Sequence, residues 1–113
     1  MYDKEMLPQL SDHSDDRLQR ELAELAARRA EIEVAMAERL VELDRRTVWK
    51  ADGCRSMANW VAVVLHTSPR TSRQTMRVAQ ALHQLPQVAK SYMAGELSCD
   101  EVNEITRVAS PVL

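Results

Sequence analysis

From Ser14 to Arg46 the chain contains neither glycine nor proline, and its large apolar residues recur at helical spacing. Leu18, Leu22, Leu25, Ile32, Met36, Leu40 and Leu43 stand three, four or seven positions apart, the repeat of one face of an α-helix. Ser14 is a good N-cap, and Asp15 and Asp16 fall in the first turn, where carboxylates favour the positive helix end. Such a helix is roughly 50 Å long and overhangs any domain the remaining residues can build. Its C-terminal half is expected to pack on the downstream helices. Its N-terminal half is either solvated or paired with another chain, and pairing is favoured because a lone solvated helix is marginal in water. Leu18, Leu22, Leu25, Ile32 and Met36 are then the dimerisation residues, with Arg29 and Arg39 in the seam.

The rest of the chain also reads as helix. Gly53 and Gly95 are the only glycines in 113 residues, too few for a turn-rich β protein. Abundant Ala, Leu, Glu and Arg favour helix. The expected fold is all-α with about five helices: an irregular lead-in over 1–13, the long amphipathic helix over 14–46, and a helical domain over 47–113. Thr47–Arg55 reads as a connector in which Gly53 suits a positive φ and Trp49 folds back as an anchor. Ser56 N-caps a short helix, Met57–Leu65, with Trp60, Val61, Val64 and Leu65 as buried candidates. His66, Thr67 and Ser68 form a turn, Ser68 caps the next helix, and Pro69 takes its first position, where proline is tolerated. Leu85-Pro86 restarts the chain into a fourth helix that Gly95 stops. Ser98 and Glu101 form a capping box for a fifth, which Pro111 ends.

Charge is divided unevenly along this framework. Gly53–Gly95 holds Arg55, Arg70, Arg73, Arg77 and Lys90 and no carboxylate. The preceding 52 residues carry nine Lys/Arg against thirteen Asp/Glu, and the last 18 carry one against four. A local basic block on an acidic chain marks a surface for a polyanion.

The block coincides with a short helix, a three-residue turn and a second helix, the plan of a helix–turn–helix. On that second helix Thr75, Val78, Ala79 and Leu82 share one face, while Arg70, Arg73, Gln74, Arg77 and Gln84 share another. Arginine reads guanine edges with two hydrogen bonds and glutamine reads adenine similarly. The small hydroxyls of Ser68, Thr71 and Ser72, near the helix N-terminus, suit phosphate. The candidate DNA-contacting residues are Arg55, Ser68, Arg70, Thr71, Arg73, Gln74, Arg77 and Lys90, with Arg55, Arg70 and Lys90 on phosphate and Arg73, Gln74 and Arg77 at base edges. A dimer would set two such helices about one DNA turn apart, ~34 Å. A solvated cationic face is the plain alternative. It is disfavoured because no Asp or Glu stands three or four positions from Arg70, Arg73 or Arg77.

Catalytic patterns are missing. Cys54, His66, His83 and Cys99 lack zinc-site spacing, and there is no nucleophile motif, glycine-rich phosphate loop or dinucleotide fingerprint. No cofactor or metal is implied and no catalytic residue is assigned. The start lacks the basic flank and apolar run of a signal peptide, and the longest apolar run, Trp60–Leu65, is too short to cross a bilayer. A cytoplasmic location with reduced thiols is expected, at the nucleoid if the chain binds DNA.

Leu43-Asp44-Arg45-Arg46, Trp49, Asp52-Gly53, Ser56 and Trp60, followed in order by Thr67-Ser68-Pro69-Arg70, Ala81-Leu82, Leu85-Pro86 and Ala94-Gly95-Glu96-Leu97-Ser98, form an ordered signature. The chain resembles the N-terminal domain of unknown function of actinobacterial HNH-endonuclease-like proteins, including the mycobacterial thirteen-E-twelve repeat family. In that family a metal-dependent HNH nuclease module usually lies downstream, and this sequence has no His-Asn-His site, so the resemblance carries no nuclease activity onto any residue here. Ser68, Thr71-Ser72-Arg73, Arg77, Leu85-Pro86 and Gly95–Ser98 are also similar to the helix–turn–helix of ParB-type partition proteins, which read a palindromic DNA site as dimers. The resulting expectation is a dimeric module for double-stranded DNA. Its rivals are a coiled-coil adaptor that binds a protein partner through the long helix, and a non-catalytic fragment of an HNH nuclease.

Overall fold

The computed structural model describes residues 9–109, and the fold is all-α. A short 3-10 turn, Leu10–Asp12, leads into α1 (Asp15–Arg45), followed by α2 (Val48–Ala51), α3 (Met57–Leu65), α4 (Pro69–Gln84), α5 (Pro86–Met93) and α6 (Cys99–Ala109). The expected lead-in before Gln9 and the stop at Pro111 lie outside the described residues.

The local chemistry of most ends follows the expectations. Ser14 Oγ accepts the Arg17 N–H, Ser56 Oγ that of Asn59, and Ser68 Oγ that of Thr71. The Ser98 hydroxyl accepts the Glu101 N–H at 3.0 Å while the Glu101 carboxylate accepts the Ser98 N–H at 3.1 Å, a reciprocal capping box. Gly53 and Gly95 both take positive φ, +78° and +79°. One element was not foreseen: the connector after α1 contains the helical turn α2. The chain enters it through Thr47 in the left-handed region, at φ 51°.

The core forms where α4 packs on α1, α3, α5 and α6, which makes α4 the central helix. Ala30, Val34, Ala37 and Leu40 of α1 meet Met76, Ala79 and Leu82 of α4, with Met57 and Val61 of α3, Ala89 and Tyr92 of α5, and Val102 of α6. Apart from Leu40, the inward stripe of α1 is therefore built of small residues, and its larger apolar residues Leu22, Leu25 and Ile32 face outward. Small residues bring helix axes close, which is why alanines line the buried seam. Of the candidates expected to be buried in α3, only Val61 is, and Trp60 is half-buried. Val64 and Leu65 are exposed because α3 packs on α2 and α4 and hardly meets α1, so the last turn of α3 stays uncovered.

Candidate nucleic-acid interface

Helix α3 ends at His66, which takes the left-handed conformation at φ 56° and turns the chain into α4. The turn is pinned from inside. Thr67 and Ser72 share a hydrogen bond of 2.6 Å between their hydroxyls, and Ser72 Oγ donates to the Ser68 carbonyl at 2.9 Å. Ser72 is completely buried, which corrects its expected place among the phosphate-facing hydroxyls. It lies four and seven residues before Met76 and Ala79, on the core face of the helix. Met76 is buried for the same reason.

The opposite side of α4 carries the arginines. Arg70 and Arg73 are exposed, and among the described residues no carboxylate lies within ion-pair distance of either. Arg77 continues the row but is half-buried, and its Nε is buried without a hydrogen-bond partner among the described residues. Its stem packs on the protein and leaves only the terminal nitrogens for a ligand. Ser68 and Thr71 are exposed at the helix start, with the Ser68 hydroxyl donating to Thr71 Oγ1 at 3.0 Å.

The remaining candidates are placed elsewhere. Gln74 is turned toward α6, where its amide donates to Asn103 Oδ1 at 3.0 Å. Lys90 lines a separate cleft with Val34, Glu38 and His83, so it does not join the arginine row. Arg55 is exposed in the connector, just before the N-cap of α3. The basic strip therefore consists of Arg70 and Arg73, with the tip of Arg77.

A second feature was not anticipated from sequence. On the α6 side of α4 an open apolar groove of about 510 Å³ runs between α1, α4 and α6, lined by Met36, Leu40, Leu65, Thr75, Val78 and Val102. Val78 and Thr75 belong to it rather than to the closed core. At one end the buried Tyr92 hydroxyl donates to the Glu33 carboxylate. Burial, and then that carboxylate, push the Tyr92 phenol well above the usual tyrosine range. Among the described residues no group of three or more His, Cys, Asp or Glu is placed to hold a metal, and both cysteines are free. No described helix is long and apolar enough to cross a membrane.

Residues 19–112 match the family described as "Domain of unknown function (DUF222)". The chain belongs to this family. It is also similar to two proteins of Mycobacterium tuberculosis, an uncharacterized protein in the est 3′ region and the uncharacterized protein Rv3776 of strain H37Rv. Each is 36% identical over 85 residues, 74% of this chain, and the aligned part is 24% of the first relative and 16% of the second. This DUF222 domain thus spans a quarter or less of the length of these relatives. No solved structure matches it.

The signature that suggested the family is used structurally in this DUF222 domain. Asp44 accepts the Trp49 indole N–H at 3.3 Å on one oxygen and the Gln80 amide of α4 at 3.4 Å on the other. Asp52 accepts the Trp60 indole N–H at 2.7 Å. Glu42 is held by Arg45 at 2.6 Å and Arg46 at 2.7 Å, and hydrogen bonds from these two arginines lower its carboxyl to about 2. With Gly53 turning the chain and Ser56 capping α3, these residues build the corner that delivers α3 to α4. They carry no reactive arrangement of their own.

Proposed function

We propose that this chain is a DNA-binding helix–turn–helix module in which α3 and the three-residue turn present the arginine strip of α4 to a duplex. The observation that carries the reading is the state of Arg70 and Arg73. Both stand in the first half of the second helix, exposed and without an acidic partner among the described residues, on a chain whose other segments are acidic. An unneutralised guanidinium pair beside a capped helix N-terminus suits a phosphate backbone. The tip of Arg77 extends the strip toward base edges. Gln74 is held by Asn103 and drops out of the reading role first expected of it.

The relationship to HNH-endonuclease-like proteins belongs to the same proposal. In a longer chain this module would bring DNA to a nuclease domain supplied elsewhere, and it contributes no catalytic residue itself. The likeness to the ParB helix–turn–helix supports the same orientation of α4. Gel-shift titration on random and genomic duplexes at two salt concentrations tests the reading. Binding that weakens as salt rises supports it, and absence of binding at low salt overturns it.

A further inference from the structure

The long helix carries two stripes. Ala27, Ala30, Val34, Ala37 and Val41 face the domain's own helices. Leu18, Leu22, Leu25, Arg29, Ile32 and Met36 alternate at four and three residues, the seam spacing of a coiled coil, and lie roughly a third of a turn away. Leu22 is 69% exposed, Leu25 57%, Ile32 59% and Met36 39%. No part of the described chain buries Leu22, Leu25 or Ile32, whereas Leu18 is half-buried and Met36 borders the apolar groove.

We infer that the uncovered stripe is the interface for a second copy of this chain, paired antiparallel about a two-fold axis between Leu22 and Leu25. The charge pattern selects this register. With Leu22 opposite Leu25 of the second copy, Glu21 flanks the seam opposite Arg28 of the second copy, and the two-fold axis repeats the pair. Glu21 Oε1 is taken by Arg17 at 2.9 Å, but its Oε2 and the Arg28 guanidinium have no partner among the described residues. The same register sets Arg29, the one charge in the middle of the seam, beside Leu18 and within a turn of Asp15 of the second copy. A parallel pair would instead stack Arg29 on Arg29 and Arg39 on Arg39, like charges in contact. The overlap runs from Asp15 to Ile32, about 27 Å of helix.

The pairing does not depend on DNA binding. It does fix where the arginine strips would lie, since residue 40 of the two chains stands about 50 Å apart along the paired helices. That exceeds the one-turn separation of about 34 Å expected for adjacent half-sites.

Sedimentation equilibrium of the full chain, without DNA, tests the register. The wild type is expected to dimerise. Glu21→Arg or Arg28→Glu alone should each weaken self-association about five-fold, through loss of two symmetry-related exposed ion pairs, and the double exchange E21R/R28E should recover it. Leu22→Glu with Leu25→Glu should give a folded monomer, with helix content by circular dichroism unchanged because both side chains already face outward. A monomeric wild type, a dimer that survives the leucine substitutions, or a double exchange weaker than either single one overturns the proposal.

Discussion

Trp60 Nε1 donates to Asp52 Oδ2 at 2.7 Å across the sharp turn at Gly53. The contact ties the start of α3 back to the end of α2, and α3 in turn supports the N-terminal half of α4. Replacing Asp52 with Ala removes an exposed hydrogen bond to the Trp60 indole and should cost about 1 kcal/mol in urea denaturation. Asp52→Asn keeps an acceptor and should recover much of the loss. Equal stability of the alanine variant and the wild type would remove this contact from the account of the corner.

Tyr92 and Glu33 join α5 to α1 beneath the apolar groove. Tyr92→Phe should destabilise the domain by about 2 kcal/mol, because a hydrogen bond to a charged group is lost and Glu33 is left half-buried without it. The phenol is raised above its ordinary value of about 10 in the folded chain. Its contribution is therefore complete below pH ~10 and is lost as pH rises beyond that toward the folded-state value. Denaturation midpoints measured on the alkaline side should fall with pH in the wild type and fall less in Tyr92→Phe.

Glu42 gives the opposite sign. Its carboxyl is lowered to about 2 by hydrogen bonds from Arg45 and Arg46, from an ordinary value of 4.5. The stability it lends is present above that ordinary value and is lost as pH falls from there toward 2. The side chain is 43% exposed, so the effect is small and shrinks with salt. Glu42→Gln should flatten the acid limb of the stability profile in low salt, and an unchanged limb would show that the clamp contributes nothing.

Thr47 enters α2 at φ 51° and ψ 42°, a conformation that a β-branched residue resists. Thr47→Gly removes that strain at the cost of extra freedom in the unfolded chain, and should raise stability by up to about 1 kcal/mol. A lower thermal midpoint would mean that the Thr47 hydroxyl contact to the Arg46 carbonyl matters more than the backbone strain.

Capping residues made the element boundaries legible. Ser14, Ser56, Ser68 and Ser98 each sit where a helix begins, and their side chains bond the N–H groups that the first turn leaves free. Faces were harder to read. Leu40, in the half of α1 expected to pack on the downstream helices, is buried, but the rest of the buried stripe is Ala30, Val34 and Ala37, because close helix packing selects small side chains that periodicity of Leu and Met does not reveal. Ser72 reads as a surface hydroxyl from composition, yet its position in register with Met76 and Ala79 buries it. Gln74 and Lys90 matched the expected chemistry, but Gln74 is bonded by Asn103 of α6 and Lys90 lines a cleft with residues of α1, and no local pattern announces such placements. The arginine strip was legible because its charge is unbalanced both along the helix and along the chain.

The most direct test of the DNA reading is the salt dependence of binding to a labelled duplex, followed by fluorescence anisotropy for the wild type and for Arg70→Ala with Arg73→Ala. Log affinity of the wild type should fall linearly with log salt, and loss of the two arginines should weaken binding and make the slope shallower by about 1.8, two phosphate contacts at 0.9 each. A variant that binds with the wild-type affinity and slope, or a wild type that does not bind at low salt, would contradict it.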